Sequence, residues 1–150
     1  MKNFAITKFT DLNAEILDSL FELESKVFDR PLSKEIISNE VACHTGVIGL
    51  VASKDQIPCG YKVGFQHSPE IFYSWIGGVH PDFRGQGVAT FLMQEQHRIL
   101  KETGYSYVRT HTKNKYRDML ILNIKSGFQV TGTYKKLCEV ELGIILEKKL

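Results

Sequence analysis

The stretch that decides the fold reads Val79-His80-Pro81-Asp82-Phe83-Arg84-Gly85-Gln86-Gly87-Val88-Ala89. An apolar run from 71 to 79 precedes it and a helical pattern from 88 to 102 follows it, which predicts a strand, a tight loop and a helix. Gly85 and Gly87 permit positive φ angles and a close approach of the backbone. The unpaired N–H groups at the start of the helix attract an anion, and the Arg84 guanidinium fits a phosphate. The stretch therefore predicts a site for a phosphorylated ligand.

Two well-known phosphate loops do not fit this stretch. A Walker A loop requires Gly-Lys-Ser/Thr at a distance from the first glycine that this chain does not offer. A dinucleotide-binding fingerprint requires a third glycine, and Thr90 occupies that position. Read as Arg-x-x-Gly-x-Ala, from Arg84 through Gly87 to Ala89, the stretch resembles the acyl-CoA pyrophosphate loop of the GNAT superfamily of N-acetyltransferases. The lead-in, Val79-His80-Pro81, also resembles that family; an ordinary glycine-containing turn is the alternative.

The spacing of apolar residues predicts the element order β-α-α-β-β-β-α-β-α-β-β. Gly104 ends the helix after the loop, and the pair Gly77-Gly78 predicts a bulge or a close backbone approach in the strand before it. The GNAT resemblance covers essentially the whole chain, because the segment from Asn114 to Gly127-Phe128 is also similar to the family. It implies a mixed α/β (α+β) fold. In this fold a mostly antiparallel, twisted sheet has a central parallel pair splayed around the acyl-CoA site, and about four helices flank it.

Length, composition and charge are those of an ordinary globular domain. The 150 residues are 43% hydrophobic and 24% charged, and we expect them to form a single domain, 1–150. The formal net charge of +2 is too small to indicate a nucleic-acid partner.

The cysteines and the termini bear on the compartment. Cys43, Cys59 and Cys138 are odd in number and widely spaced, which favours reduced thiols over a disulfide framework or a zinc site. The first residues lack the apolar core of a signal peptide, and no apolar run reaches the length that spans a bilayer. We therefore expect a cytoplasmic protein with no membrane partner.

The resemblance implies an enzyme, a transferase that moves an acetyl group from acetyl-CoA, its acyl-donor co-substrate, to a primary amine by direct attack in a ternary complex. For Asn114, capping of the following helix is an equally good interpretation. The cofactor-binding residues that the resemblance implies are Val79, Arg84, Gly85, Gln86, Gly87, Val88, Ala89, Thr90, Asn114 and Asn123.

The catalytic residues depart from the common pattern of the family. Many members carry a tyrosine, a general acid toward the CoA sulfur, where this chain has Asn123, and an amide hydrogen-bonds without acting as an ordinary proton donor. Tyr116, Tyr73 and His80 are the substitute candidates, and packing or solvation is the alternative for each. Tyr134 is a further candidate, and a position at the rim of the cleft is an equally good interpretation for it.

The remaining histidines show no ligand spacing with a carboxylate or a thiol, which predicts no metal. They are His44, His67, His97 and His111.

The acceptor and the oligomeric state stay open at this point. The amine belongs to a small molecule or to a protein or peptide, and the protein is a monomer or a homodimer. A non-catalytic CoA-binding sensor or regulatory module is the alternative function, motivated by Asn123. A nucleotide or dinucleotide binder that uses the glycine loop is a third interpretation.

Overall fold

Seven strands form one sheet in the computed structural model, which describes residues 3–150. The strands are β1 (Phe4–Phe9), β2 (Ile48–Lys54), β3 (Ile57–Gln66), β4 (Ile71–Val79), β5 (Tyr107–Lys113), β6 (Gln129–Tyr134) and β7 (Gly143–Lys149). The helices are α1 (Ala14–Val27), α2 (Lys34–Cys43), α3 (Val88–Thr103) and α4 (Arg117–Lys125). This is the predicted element order, with one short 3₁₀ turn added at Pro81–Phe83. Across the sheet the strands follow the order β1-β2-β3-β4-β5-β7-β6.

The parallel pair β4–β5 is short and then diverges. Pairing runs from Ile71 opposite Tyr107 to Ser74 opposite Thr110, and every other neighbouring pair in the sheet is antiparallel. Beyond Ser74, β4 stays paired with β3 and β5 stays paired with β7, so each strand follows its other neighbour. The predicted splay of the central pair is confirmed, and it opens a gap in the middle of the sheet.

Helices pack on both faces of the sheet around two apolar cores. On one face α3 and α4 cover residues of the central strands, among them Phe72, Val108 and Leu146. On the other face α1 and α2 pack against β1 to β4, with Leu23 and Ile37 buried in this second core. No helix within residues 3–150 is both long and apolar enough to span a membrane.

The irregularity in β4 lies at Trp75, so the bulge predicted at Gly77-Gly78 is wrong in position. Val63 pairs with Ile76 and Gly64 with Ser74, which leaves Trp75 as the extra residue. The alternative prediction, a close backbone approach, is confirmed at the two glycines. A Cβ on Gly78 would lie 2.8 Å from the Val27 side chain, and one on Gly77 would lie 3.1 Å from Lys62 Cγ.

The starts of α1 and α2 and the end of α3 carry a capping side chain or a glycine, and the start of α4 does not. Asn13 Oδ1 accepts a hydrogen bond from Ile16 N at 2.8 Å at the start of α1, and Ser33 caps α2 in the same way. Gly104, with φ +109°, ends α3. By contrast α4 begins after Tyr116 and has no side-chain cap, so the interpretation of Asn114 as a helix cap is wrong.

Candidate active site

The loop between β4 and α3 presents a row of free backbone donors. Gly85 and Gly87 have φ angles of +74° and +84°, the left-handed region that favours glycine. The N–H groups of residues 85–90 make no hydrogen bond to any residue in the described range 3–150. These donors lie at the positive end of the α3 dipole, so the loop is built to hold an anion.

Two cations flank this loop, and the sequence indicated only one of them. Arg84 is exposed, and its Nε donates to the carbonyl oxygen of Val79 at 3.2 Å. Lys54, at the end of β2, donates from Nζ to Gln86 Oε1 at 3.0 Å. Lys54 is 32 residues away in the chain, so only the sheet register brings it to the loop. Both charges favour a phosphorylated ligand.

Beyond Ser74, the edge of β4 that faces β5 is no longer paired with that strand and carries free backbone groups. His80 N donates to Cys59 O of β3 at 2.9 Å, so Gly78 also faces β3 and Gly77 and Val79 face the gap. The carbonyl of Val79 is occupied by Arg84. The N–H groups of Gly77 and Val79 therefore remain for a ligand that lies in the gap.

A small cavity of about 20 Å³ lies at this edge, between β4, α3 and α4. Its lining residues are apolar or glycine, apart from Lys62 and Tyr61. A narrow slot of this kind suits an extended, mostly apolar arm. The lining residues are Tyr61, Lys62, Gly77, Gly78, Val79, Ala89, Leu92, Met93, Met119 and Leu122.

Asn123 is buried in α4, with 3% of its surface exposed. Its backbone oxygen accepts hydrogen bonds from Ser126 N and Phe128 N, which ends the helix. Its side-chain amide makes no hydrogen bond to another residue of the part of the chain that the structure describes. Its amide atoms are not among the fully buried polar atoms that lack a partner, so they keep access to solvent or to a ligand. Asn114 is exposed in the turn before α4.

Tyr116 contacts Phe28, the residue that follows α1. The ring of Tyr116, at the start of α4, packs edge-on against Phe28 with centroids 5.8 Å apart. Phe28 follows α1, and the segment after it is tied down by a buried pair. Glu24 accepts hydrogen bonds from the Tyr61 hydroxyl and, at 3.5 Å, from Leu32 N. Burial raises the pKa of the Glu24 carboxyl, and its two hydrogen bonds oppose that shift.

His80 is part of the loop's own structure. Its Nδ1 accepts a hydrogen bond from Asp82 N at 3.1 Å, and its ring packs against Phe83. It is absent from the cavity wall. The contacts of His80 therefore support a capping role for the 3₁₀ turn, and its catalytic role stays a prediction.

Tyr73 lies on the opposite face of the sheet, beside a histidine for which the sequence predicted no role. The Tyr73 hydroxyl is 3.3 Å from His111 Nδ1. His111 directly follows Thr110, the last β5 residue paired with β4, so its ring stands where the gap opens. No local signal marks His111, because its position depends on the register of two strands.

The protonation states of this pair suit proton transfer at neutral pH. Burial lowers the pKa of His111, and the positive charge of Arg109 and then His67 and Lys136 lowers it further. Burial also raises the pKa of Tyr73 to about 12, helped by Tyr134 and Glu40. The imidazole is therefore neutral and the phenol is protonated.

An aromatic face continues from this pair across the sheet. We use this name for the neighbouring rings on the α2 side of β3 to β6, with centroid distances from 4.7 to 6.0 Å between successive rings. All are partly exposed except Phe65, which is buried. The rings are those of Trp75, Phe65, Tyr73, His111 and Tyr134.

The side chains of Glu40, Cys43 and His44 meet at the end of α2, so the statement that no histidine has ligand spacing is wrong for His44. One ligand atom from each lies within 4.8 Å of the other two. His44 Nδ1 is 2.8 Å from the Glu40 carbonyl oxygen and its ring stacks on Phe65, so the protein already satisfies this nitrogen.

His97 lies on α3, and its side chain belongs to a polar cluster between this helix and the sheet. Its Nδ1 is 3.4 Å from Lys148 Nζ, and its buried Nε2 has no partner among the described residues. Burial lowers the pKa of His97 to about 3, and the charges of Lys148 and Lys62 add to the shift.

We expect this histidine to make the fold sensitive to acid. The unfolded chain takes up a proton near 6.5, the ordinary pKa of histidine, whereas folded His97 resists it until about pH 3, so stability falls between these values. His97→Gln should remove about 1 kcal/mol of the loss between about pH 7 and about pH 5, allowing for its partial exposure. Urea unfolding at several pH values measures this. Equal pH dependence in wild type and variant would contradict it, and exposed His67→Gln is the control.

The family is established by a match over more than half of the chain. Residues 45–130 match the family model described as "Acetyltransferase (GNAT) domain", and the chain therefore belongs to the GNAT acetyltransferase family. No curated protein matches the chain. The resemblance proposed from the loop is confirmed, and the protein is an acetyltransferase.

Solved structures share the fold at low sequence identity. The ribosomal-protein-S18-alanine N-acetyltransferase of Escherichia coli superposes with a TM-score of 0.83 at 14% identity, over 97% of this chain and 93% of that one. A GNAT family acetyltransferase from Elizabethkingia anophelis, solved with acetyl-CoA bound, gives 0.79 at 21% identity over 100% of both chains. Ard1 from Thermoplasma volcanium gives 0.83 at 15% identity, over 98% of this chain and 97% of that one. The predicted fold class is confirmed.

Proposed function

We propose that the protein is a single-domain N-acetyltransferase that moves an acetyl group from acetyl-CoA to a primary amine by direct attack in a ternary complex. The observation that carries this proposal is the splay of β4 from β5 beside a loop with free N–H groups. The loop and the cavity reach the gap from the α3 side, whereas the aromatic face reaches it from the α2 side. Acetyl-CoA and the acceptor amine then enter the gap from opposite faces of the sheet and meet there.

On the donor side, the residues present fit acetyl-CoA. The N–H groups of residues 85–90, with Arg84 and Lys54, hold the pyrophosphate. The N–H groups of Gly77 and Val79 hold the pantetheine arm and polarise the thioester carbonyl, a contribution of about 3 kcal/mol in comparable sites. When bound, acetyl-CoA supplies an acetyl group activated as a thioester. We propose that the amide of Asn123 hydrogen-bonds the arm.

On the acceptor side, the amine arrives as a cation and must lose a proton. An alkylamine has a pKa of about 10.4, so it is almost fully protonated at neutral pH. The aromatic face attracts such a cation, and the Glu40 carboxylate lies close enough to act on Tyr73. We propose that His111 is the general base. The tautomer that donates from Nδ1 to Tyr73 Oη leaves the lone pair of Nε2 for the amine.

The acceptor is a primary amine of a small molecule or of a peptide. Solved proteins with this fold are named as different acetyltransferases. One is named for the alanine of ribosomal protein S18, and another is named PaiA N-acetyltransferase. With identities of 14% and 18%, neither transfers its acceptor to this chain. The aromatic face and its neutral imidazole define the class of acceptor, not the molecule.

Thermal unfolding with acetyl-CoA, NAD and ATP tests the proposal. Acetyl-CoA at about 100 times its Kd should stabilise the fold by about 2.7 kcal/mol, raising Tm by roughly 5–10 °C. A panel of primary amines should then release free CoA thiol. Greater protection by NAD or ATP would replace the proposal with a nucleotide binder. Protection by acetyl-CoA without thiol release from any amine would favour the CoA sensor.

A further inference from the structure

Among the residues that form the cavity wall, Lys62 alone carries a positive charge. It lies on β3 opposite Gly77, and the missing Cβ of Gly77 leaves room for its stem, since an added Cβ would be 3.1 Å from Lys62 Cγ. The stem crosses β4, and Nζ donates to Ser74 Oγ at 3.3 Å. Ser74 is the last β4 residue paired with β5, so the ammonium stands at the vertex of the gap.

The described part of the chain places no counter-charge around Lys62. Ser74 Oγ accepts a second hydrogen bond from Gln96 Nε2 at 3.2 Å, so this oxygen is fully used by its two donors. The ionisable groups nearest on packed elements are His97 of α3, held neutral, and Lys148 of β7, a second cation. No carboxylate of residues 3–150 pairs with Lys62. An ammonium left with spare donors in such a site favours an anion beside it.

We infer that Lys62 is the proton donor to the sulfur of the departing CoA, the role for which Asn123 lacks an acidic proton. This inference rests on the proposed function. The tyrosine candidates have other contacts. Tyr116 packs against Phe28, and the Tyr73 hydroxyl contacts His111 on the opposite face of the sheet. Burial lowers the pKa of Lys62 to about 8, which brings its acidity close to that of a thiol, about 8.5.

The proton balance closes with groups that the protein and solvent supply. The acceptor nitrogen bonds to the acetyl carbon, the carbon–sulfur bond breaks, and its electron pair leaves on sulfur. Lys62 gives one proton to that sulfur and recovers one from solvent. The acceptor nitrogen loses two protons in all. His111 takes the first from the cationic amine and passes it to solvent, and it takes the second after the nitrogen has bonded to the acetyl carbon. Lys62 and His111 thus act from opposite faces of the sheet, and neither side chain has to move to the other face.

Ligand binding tests this role without turnover. Isothermal titration of CoA and of desulfo-CoA, which lacks the sulfur, should show CoA binding about tenfold tighter to wild type, because a hydrogen bond from a charged donor is worth about 1.5 kcal/mol or more. Lys62→Met and Lys62→Gln should bind the two ligands equally. Lys148→Met, which changes a lysine on the same face outside the cavity, should keep the tenfold ratio. An unchanged ratio in both Lys62 variants would overturn the inference.

Two further measurements complete the design. The side-chain NMR signal of Lys62 should titrate near pH 8 in the free protein and at higher pH with CoA bound, because a thiolate partner stabilises the ammonium. With a working amine, Lys62→Met should lower kcat about 10-fold near neutral pH and remove the decline above pH 8. Wild-type turnover that persists fully in Lys62→Met would overturn this role alone. Failure of wild type to bind acetyl-CoA would overturn the proposed function with it.

Discussion

Replacing Gly87 by glutamate is expected to weaken acetyl-CoA binding by at least about 100-fold, which corresponds to about 2.7 kcal/mol. Two effects add. An L-residue at φ +84° adopts the left-handed region at a cost of about 1–2 kcal/mol, so the loop relaxes away from its shape. The new carboxylate also stands among the N–H groups of residues 85–90, where it competes for them and repels phosphate. Isothermal titration with acetyl-CoA measures the loss.

Gly104→Glu is the matched control for this substitution. Gly104 ends the same helix with φ +109°, and a Cβ there would meet nothing within 4 Å. Both variants therefore carry backbone strain and one new charge. The helix dipole favours a carboxylate at the N-terminal end of α3 and opposes it at the C-terminal end, so Gly104→Glu should lose at least as much thermal stability as Gly87→Glu. Only Gly87→Glu should lose the ligand. Equal affinity in the two variants would mean that the loop does not hold the pyrophosphate.

The loop was predictable because its information is local. Gly85, Gly87 and Arg84 lie within four residues of one another, between a clear strand and a clear helix. The element order followed for the same reason, since each cap and terminator, such as Asn13 or Gly104, acts on its own turn. The splay needed the family resemblance, because nothing in the composition of β4 or β5 says where their pairing ends.

The rest of the site depends on register across the sheet. Lys54 reaches Gln86 across 32 residues, and His111 reaches Tyr73 across 38. Lys62 meets Ser74 across only 12 residues, yet the contact requires the glycine at 77 on the facing strand. A histidine or lysine in a strand looks the same in the sequence whether it lies in solvent or at a gap. The predicted position of the bulge was wrong for the same reason, because it depends on strand register. Gly77-Gly78 indicated an irregular strand, but the extra residue is Trp75.

Under the proposed function, these positions explain how the fold tolerates Asn123 in place of a tyrosine. In that proposal the amide of Asn123, a residue with 3% of its surface exposed, hydrogen-bonds the CoA arm. The groups with useful acidity come from β3 and β5, which flank β4 on either side. In this arrangement the acid acts on one face of the sheet and the base acts on the other. We expect the base to contribute more to the rate, because it must remove a proton from a strongly basic amine.

His111→Ala is accordingly expected to lower kcat about 10²- to 10³-fold at neutral pH, with little change in the Kd of acetyl-CoA. The pH profile identifies the cause. In wild type the rate should fall below pH 6.5 as His111 takes up a proton, at a midpoint lowered by burial and by Arg109. In the variant this limb should vanish. The rate should rise with pH up to about 8 because only the deprotonated amine reacts, and above that pH the loss of the Lys62 proton should oppose the rise. The deficit should shrink above about pH 9 as the free amine accumulates, given its pKa of about 10.4.

His67→Ala separates this role from a general effect of losing a histidine. His67 lies on the same side of the sheet, 3.0 Å from an Arg109 nitrogen, but it is exposed and makes no contact with Tyr73. It should keep kcat within about threefold of wild type, since surface changes of this kind alter little. Tyr73→Phe should cost about 10-fold, because it removes the hydroxyl partner of Nδ1 and leaves the imidazole in place. If His111→Ala retains both the acidic limb and most of kcat, the base lies elsewhere and the aromatic face only binds the acceptor.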